Sequence, residues 1–290
     1  MNGFSLIRRA GLGLAIVLTG LAVSASGNLT GWTVPTRSLE AQADLLRDHV
    51  EIRLPTGTGG PVPAVIMLHG CGGLRQVQQA YADDLLEAGY AVVIVDSNGA
   101  RGIGRLGSMM QVCLALRLWG QERAADIPAV IDLLAAEPAI DPDRLALIGW
   151  SHGGWTVLEA LDFAGEGRAA PALQPQPDTP LHGVRVAITM YPYCGFPARA
   201  DGRGFPPAVP IHAILAERDV IAPADACERL FRRADAAGVP IDYTIWPGLT
   251  HAFDEPDGPP DPRIEYNAGA AQRARARILV WLEDAFSDQG

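Results

Sequence analysis

A serine between glycines is the first feature of the sequence that could do chemistry. The stretch IGWSHGGW, residues 148–155, contains G-x-S-x-G with Ser151 at its centre, after the apolar run LALI and before a segment of helical pattern. A strand that turns this tightly into a helix needs small flanking residues and holds the serine hydroxyl exposed above a sheet. With 32 glycines in the chain the pattern alone is weak, but its position after a strand-length run predicts a nucleophile elbow at Ser151.

A serine at its free pKa is a poor nucleophile, so the chain must also supply a base and an acid that orients the base. His251, in PGLTHAFD, is the only histidine in a loop after a predicted strand and downstream of a suitable acid. Asp219, in AERDVIAP, follows the run IHAIL, and Glu217 competes with it from two positions earlier. Ser, Asp, His is the chain order expected when all three residues lie in loops after strands. The sequence therefore predicts a triad of Ser151, Asp219 and His251.

Donors for a developing oxyanion are expected in the glycine-rich run HGCGG, residues 69–73, which follows the apolar run AVIML. Glycines there allow backbone N–H groups to turn toward the serine, although a turn that only reverses the chain is the alternative. We predict the backbone N–H of His152, the residue after the serine, as one donor. The N–H of Cys71, or otherwise that of Gly72, is predicted as the second donor.

The elements that must position these loops are apolar strands that alternate with helical segments. Strands are predicted at residues 49–54, 64–68, 91–95, 145–148, 184–189, 211–215 and 241–245. Helices are predicted at residues 76–88, 122–136, 153–163, 224–237 and 263–286. Continuous apolar strands separated by helices indicate a mostly parallel sheet covered on both faces, an α/β fold. At 290 residues and 48% hydrophobic, the chain favours one large core.

The first 25 residues have the pattern of an export signal. Arg8 and Arg9 precede an uncharged stretch, residues 10–23, which ends in the small-residue tripeptide VSA and is shorter than the roughly 20 residues that cross a bilayer. We predict cleavage after Ala25, which leaves residues 26–290 as one domain in the periplasm or outside the cell, without stable membrane insertion. An uncleaved N-terminal membrane anchor is the alternative.

Export would bring the four cysteines into an oxidising compartment, where disulfides persist. Cys113 lies in the region after one predicted strand and Cys194 follows another, so both could lie at one edge of a parallel sheet. We predict a disulfide between them and free thiols at Cys71 and Cys227; four buried thiols are the alternative. The absence of a C-x-x-C pair from the sequence argues against a zinc site.

The charge of the chain argues against one class of partner. A formal net charge of -10 gives no sign of the basic surface that binds nucleic acid. The stretch GIGRLG, residues 102–107, fits G-x-G-x-x-G, but DSNGAR separates it from the strand that should precede it directly. We therefore predict no dinucleotide site, no other cofactor and no metal.

Side chains near the predicted loops could bind a substrate. Four aromatic residues could line a cleft, with core packing as the alternative: Trp150, Trp155, Tyr193 and Phe196. Arg75 and Arg101 could hold a substrate carboxylate, with a solvated surface position as the alternative. The segment of residues 192–210, rich in Pro and Gly, suggests a small cap over an accessible cleft, which favours short acyl groups.

Together these motifs resemble the α/β-hydrolases of the dienelactone hydrolase-like group. The stretches HGCGG, GYAVVIVD, DPDRLALIGWSHGG, YPY and THAF occur in the order and approximate spacing that those proteins show, over about residues 45–286. The resemblance implies a central sheet of about eight strands, the triad named above, and cofactor-free hydrolysis of a small-molecule carboxylic ester or lactone. Dienelactone hydrolases proper use a cysteine nucleophile; with serine at position 151, the resemblance implies a serine esterase of that family.

Two other functions are compatible with the same motifs. A peptidase of the prolyl-oligopeptidase type shares the fold and the triad order, but too little sequence precedes the second predicted strand for a propeller domain. A non-catalytic binding protein on a hydrolase scaffold is disfavoured because all three triad positions are filled.

Overall fold

The computed structural model describes residues 19, 20, 23, 26, 34–57, 59–258, 261 and 263–287. Within them one sheet has the order β1-β3-β2-β4-β5-β6-β7, with β1 antiparallel to β3 and all other neighbours parallel. The strands are β1 (Val50–Arg53), β2 (Val62–Leu68), β3 (Ala91–Val95), β4 (Ile140–Trp150), β5 (Val184–Met190), β6 (Ile211–Ala216) and β7 (Ile241–Trp246). Each corresponds to a predicted strand, so the α/β prediction is confirmed; the sheet of the described residues has seven strands, where about eight were expected.

The helices lie between and after the strands. They are α1 (Leu39–Arg47), α2 (Gln76–Glu87), α3 (Arg105–Gly107), α4 (Gly120–Arg123), α5 (Asp126–Leu134), α6 (His152–Gly165), α7 (Ala224–Ala236) and α8 (Ala268–Phe286). A 3-10 turn (Gly99–Arg101) and a π-helical turn (Ser108–Val112) flank α3. The sequence missed α1, which Ser38 caps by accepting a hydrogen bond from the Ala41 N–H. The helix predicted at 122–136 is divided, and the division leaves Pro128 in the first turn of α5, where its missing N–H costs no bond.

The sheet has a hydrophobic cluster on each face, which explains why the strands β2 and β3 are apolar throughout. Along β2, Ala64, Ile66 and Leu68 belong to one cluster, while Val65 and Met67 belong to the other. Helices α1, α5, α6 and α7 contribute to the first cluster, and α2 and α8 to the second. Burial on both faces fixes the strands, so the loops at their carboxyl ends start from a rigid frame.

Two disulfides cross-link the loops, and the predicted pairing of Cys113 with Cys194 is wrong. Cys71 is bonded to Cys113, and Cys194 to Cys227, with Cα–Cα distances of 5.0 and 5.1 Å. The two segments that were expected to meet follow β3 and β5, and the strands β2 and β4 lie between those strands. Both segments border the same cavity, but each of the two cysteines is bonded to a different partner. Cys71 and Cys227, predicted to be free thiols, are the actual partners.

The predicted signal peptide, residues 1–25, lies outside the described residues except for positions 19, 20 and 23. In the part of the chain that is described, no helix is both long and apolar enough to cross a membrane.

Candidate active site

The turn from β4 into α6 holds Ser151 in a conformation that side chains rarely adopt. Its φ is 51° and its ψ is -111°, a strained backbone that persists only when the surrounding packing imposes it. The flanking glycines explain that packing. A Cβ at Gly149 would meet the carbonyl of Gly153, and a Cβ at Gly153 would meet the carbonyl of Leu68. The small residues let strand, turn and helix approach closely enough to place the hydroxyl at the sheet edge.

The loops after three different strands bring a histidine and a carboxylate to this serine. His251, after β7, places Nε2 2.9 Å from Ser151 Oγ, and its Nδ1 lies 2.6 Å from Oδ2 of Asp219, after β6. The other oxygen of Asp219 accepts the backbone N–H groups of Ile221 and Ala222 at 2.9 and 2.7 Å. A carboxylate at Nδ1 keeps the proton on that nitrogen, so Nε2 is free to accept the serine proton. Glu217, the competing acid, is exposed and accepts the Gly248 N–H instead.

A buried acid behind the histidine was missed by the sequence analysis. The Tyr191 ring packs edge-on against the His251 imidazole, with 4.9 Å between the ring centroids. The Tyr191 hydroxyl donates to Asp254 Oδ1 at 2.5 Å. Asp254 also accepts from the Tyr81 hydroxyl and from the Trp150 indole. Burial raises the pKa of the Asp254 carboxyl, and the three donors act against that rise. Trp150 is therefore a fully buried brace rather than a cleft residue, and this cluster fixes the ring on which His251 rests.

Both predicted oxyanion donors border the cavity that contains Ser151. Cys71 and His152 line it together with the serine. Neither backbone N–H has an acceptor among the described residues. That of His152 is free because it opens α6, whose first N–H groups have no partner within the helix. Two backbone N–H groups without an acceptor therefore belong to residues that border this cavity, and that of His152 lies at the partly positive N-terminus of α6.

Beneath these donors lies a buried arginine that the sequence analysis did not single out. Arg123, the last residue of α4, donates from Nη1 to the His69 carbonyl at 2.7 Å and to His152 Nδ1 at 3.1 Å. Its Nε donates to Ser97 Oγ, and His152 Nε2 donates to the Leu118 carbonyl. Burial lowers the pKa of His152 to about 3 and that of Arg123 to about 10. At neutral pH a charged guanidinium therefore holds a neutral imidazole, and it connects the two chain segments that carry the donors.

The cavity has a volume of about 470 Å³ and places the predicted substrate-binding residues differently. Trp155 and Tyr193 line it, and so does Phe196. Arg75 instead lines a neighbouring recess and donates to the Asp257 carbonyl at 3.0 Å. The interpretation of Arg101 as a ligand for a substrate carboxylate, or as a solvated surface residue, is wrong. Its guanidinium is buried and forms a 2.7 Å ion pair with a carboxylate of α5.

Other patterns that could suggest a bound group are accounted for by local structure. The G-x-G-x-x-G stretch runs through the end of the 3-10 turn, where Gly102 has a φ of 63°, and into α3. In the described part of the chain, no three His, Cys, Asp or Glu side chains are grouped in a way that could hold a metal ion.

A mostly parallel sheet with a serine elbow after β4, an acid after β6 and a histidine after β7 defines the class of protein as an α/β-hydrolase. The chain belongs to the dienelactone hydrolase family, whose family model matches residues 50–286. The family predicted from the motifs is thereby confirmed.

Relatives of known description differ in how much of their length they share with the chain. A protein of a Bradyrhizobium species described as "Probable 2-oxo-3-(5-oxofuran-2-ylidene)propanoate lactonase" is 22% identical over 231 residues, which cover 77% of this chain and 84% of that protein. A "Probable dipeptidyl-aminopeptidase B" of Phaeosphaeria nodorum is 32% identical over 108 residues. That match covers 36% of this chain and spans only 11% of the peptidase.

Solved structures share the fold. A dienelactone hydrolase-like promiscuous phosphotriesterase from metagenomic libraries is similar with a TM-score of 0.62 at 18% identity, covering 82% of this chain and 92% of that one. The carboxylesterase Cest-2923 of Lactobacillus plantarum is similar with a TM-score of 0.59 at 19% identity, covering 81% and 92%. At these identities the likeness establishes the α/β-hydrolase architecture.

Proposed function

We propose that this protein is a carboxylic ester hydrolase that cleaves esters or lactones through an acyl-enzyme on Ser151. One observation carries the proposal: the chain of hydrogen bonds from Ser151 Oγ to His251 at 2.9 Å and on to Asp219 at 2.6 Å. Two free backbone N–H groups lie beside it, at Cys71 and His152. Membership of the dienelactone hydrolase family supports the ester or lactone bond as the target.

The mechanism follows from the positions of these groups. Ser151 Oγ attacks the carbonyl carbon while His251 Nε2 takes the hydroxyl proton, and the N–H groups of Cys71 and His152 bind the oxyanion. His251 returns the proton to the alcohol oxygen as the bond from that oxygen to the acyl carbon breaks. Water, deprotonated by His251, then attacks the acyl carbon and releases the acid and Ser151. The Asp219 carboxylate stabilises the imidazolium in both halves of the reaction.

Peptide-bond hydrolysis is the second candidate, because the chain shares a 32% identical segment with dipeptidyl-aminopeptidase B. An aminopeptidase of that kind must bind a substrate ammonium group, which calls for a carboxylate in the site. Among the described residues that line the cavity, none is Asp or Glu. We therefore place ester hydrolysis first.

The nucleophile can be tested before the substrate is known. We expect a fluorophosphonate probe to label the protein at Ser151, as read by mass spectrometry of the labelled peptide. Labelling should disappear in Ser151→Ala and in His251→Ala and persist in Ser287→Ala, which changes an exposed serine far along the chain. A panel of esters, lactones and peptide amides then assigns the bond. An unlabelled wild-type protein, or full ester turnover by Ser151→Ala, would refute the proposal.

We also propose that the protein is exported and that residues 26–290 form its mature domain. Two disulfides support export, because such bonds persist in oxidising compartments. Fractionation of expressing cells, with thiol labelling under denaturing conditions, tests it. Export predicts protein in the periplasm or medium, a mature N-terminus at Ser26 and no free thiol. An intact N-terminus in the membrane fraction would support an anchored protein instead.

A further inference from the structure

The cavity lies on one particular side of the nucleophile. Cys71 and His152, which carry the predicted oxyanion donors, line it with Ser151, whereas His251 is not among the described residues that do. In an ester the carbonyl oxygen must face the N–H donors, and the alcohol oxygen must come within reach of His251 Nε2 to receive its proton. A group that fills a space bordered by the donors and not by the base is the acyl group. The alcohol is left on the other side, next to His251.

The wall of this cavity is apolar and lacks ionic side chains. Its larger members are Val112, Leu114, Trp119, Trp155, Phe196 and Ile221. Of the described residues that line it, none is Asp, Glu, Lys or Arg. The arginines nearby are engaged elsewhere: Arg101 with a carboxylate, Arg75 with the Asp257 carbonyl, and Arg123 beneath the oxyanion donors. A carboxylate on the acyl group would therefore find no cationic partner in the wall of this cavity.

We propose that the site selects esters with a neutral, apolar acyl group of medium length and rejects acyl groups that end in a carboxylate. The inference rests on the ester hydrolysis proposed above and names the substrate class for that site. The small cap predicted from the sequence suggested a preference for short acyl groups. A cavity of about 470 Å³ has room for longer ones. Each additional methylene that enters the cavity should raise kcat/KM about fourfold, as expected for burial of a CH₂ group.

A pair of isomeric esters tests whether the cavity binds the acyl group or the alcohol. Ethyl hexanoate and hexyl acetate have the same composition, but the long chain belongs to the acyl group in one and to the alcohol in the other. We expect ethyl hexanoate to have a kcat/KM at least about tenfold higher, which corresponds to burial of two or more methylenes. Equal values, or a preference for hexyl acetate, would overturn the assignment of the cavity to the acyl group.

A second comparison tests the exclusion of charge. Nitrophenyl hexanoate and the nitrophenyl monoester of adipic acid have acyl chains of similar length, and only the second ends in a carboxylate. We expect the adipate ester to react at least about tenfold more slowly, because an apolar wall without a cation gives the carboxylate no partner in place of water. Comparable rates for the two esters would contradict the proposal.

Two variants make this comparison specific to the cavity. Leu114 lines the cavity and Leu116 does not, while both side chains are exposed, by 59% and 67%. Leu114→Arg should raise kcat/KM for the adipate ester relative to that for the hexanoate ester by about tenfold, since it supplies a cation to the carboxylate at the end of the acyl group. Leu116→Arg, the matched control, should leave the ratio unchanged. An equal effect of both variants would show attraction by surface charge alone and would overturn the proposal.

Fluorophosphonate labelling separates this inference from the function on which it rests. If Ser151 is labelled and simple esters are hydrolysed, but the isomers react equally, the acyl-site inference is wrong and ester hydrolysis stands. If Ser151 is not labelled, both fail.

Discussion

The two sides of Ser151 are built in different ways. On the acid–base side, Asp219 and His251 follow the neighbouring strands β6 and β7, and both oxygens of Asp219 have hydrogen-bond donors. On the oxyanion side, the 69–73 loop contains no helix or strand, and residues 99–123 form only short helical turns. A disulfide from Cys71 to Cys113 and the buried Arg123 hold these segments together.

The difference is that regular structure positions the first side, whereas cross-links position the second. The buried polar groups on the oxyanion side are not all hydrogen-bonded. Arg123 Nη2 and His69 Nε2 have no hydrogen-bond partner within the described residues. A buried guanidinium without a carboxylate partner costs stability, and such a group persists where something other than stability retains it. At this position its positive charge lies beneath the groups that would bind an oxyanion.

The largest expected effect lies on the acid–base side. Asp219→Asn should lower kcat by about 10⁴-fold, because an amide at this position stabilises the wrong imidazole tautomer, the effect documented for serine proteases. Glu217→Gln is the matched control, an exposed carboxylate two positions away. Steady-state kinetics with one ester, at equal concentrations of folded protein, measure both variants. If Glu217→Gln loses as much kcat as Asp219→Asn, the assignment of Asp219 as the acid is wrong.

On the oxyanion side, Arg123→Met should lower kcat about 10- to 100-fold and change KM little. Loss of one oxyanion donor costs about 10² to 10³, and loosening two donors without removing either should cost less. A trifluoromethyl ketone, which forms an anionic adduct with the serine, should bind more weakly by a similar factor per active site.

Arg101→Met is the control for the loss of a buried arginine, since the Arg101 side chain is paired with Asp126 and forms no hydrogen bond with the described 69–73 loop. Arg101→Met should lower the free energy of unfolding without lowering the affinity of each active site for the ketone. If Arg123→Met also leaves the affinity for the ketone unchanged, the guanidinium has only a structural role.

The contrast also explains what the sequence could predict. Ser151, Asp219 and His251 each follow an apolar run, and in a parallel sheet the ends of such runs meet at one edge. No such rule applied to Arg123, which lies at the end of a four-residue helix, or to the pairing of the cysteines, which depended on the order of strands in the sheet. The position of Arg101 was predicted wrongly for the same reason: its partner Asp126 is the first residue of α5, and the sequence gives no sign that these two segments meet.

The two disulfides allow a further test of this contrast. The bridges close loops with sequence separations of 42 and 33, so loop entropy predicts nearly equal stabilisation, about 3 to 4 kcal/mol each. Replacing both cysteines of a pair by serine avoids an unpaired thiol. The Cys71/Cys113 variant should lose about tenfold in kcat at a temperature where it is fully folded, because loosening an oxyanion donor costs transition-state stabilisation. The Cys194/Cys227 variant should lose similar stability and little activity; equal losses of activity would indicate that both bridges act only on stability.

The smallest effect concerns Glu159, which braces the wall of the cavity beside Ser151 through Trp155. Its Oε1 accepts from the Trp155 indole at 2.8 Å and from the Arg199 N–H at 2.5 Å, while its Oε2 has no partner among the described residues. Burial raises the pKa of this carboxyl from 4.5 to about 7, although those donors oppose the rise. The nearest ionic groups do not reverse it, because Asp162 repels the charge and the Arg199 guanidinium pairs with Asp162 and Glu166.

The sign of the pH dependence follows from that shift. Between pH 4.5 and about 7 the folded protein holds a proton on Glu159 that the unfolded chain has released, so stability falls as pH rises through this window. Glu159→Gln retains an acceptor oxygen and removes the titration. Its free energy of unfolding relative to the wild type should therefore rise between pH 5 and pH 8, by up to about 3 kcal/mol, with kcat/KM changed less than about threefold. Urea unfolding at the two pH values measures this. A difference between variant and wild type that is constant with pH would mean that Glu159 is ionised throughout, as a buried carboxylate that its hydrogen-bond donors alone stabilise.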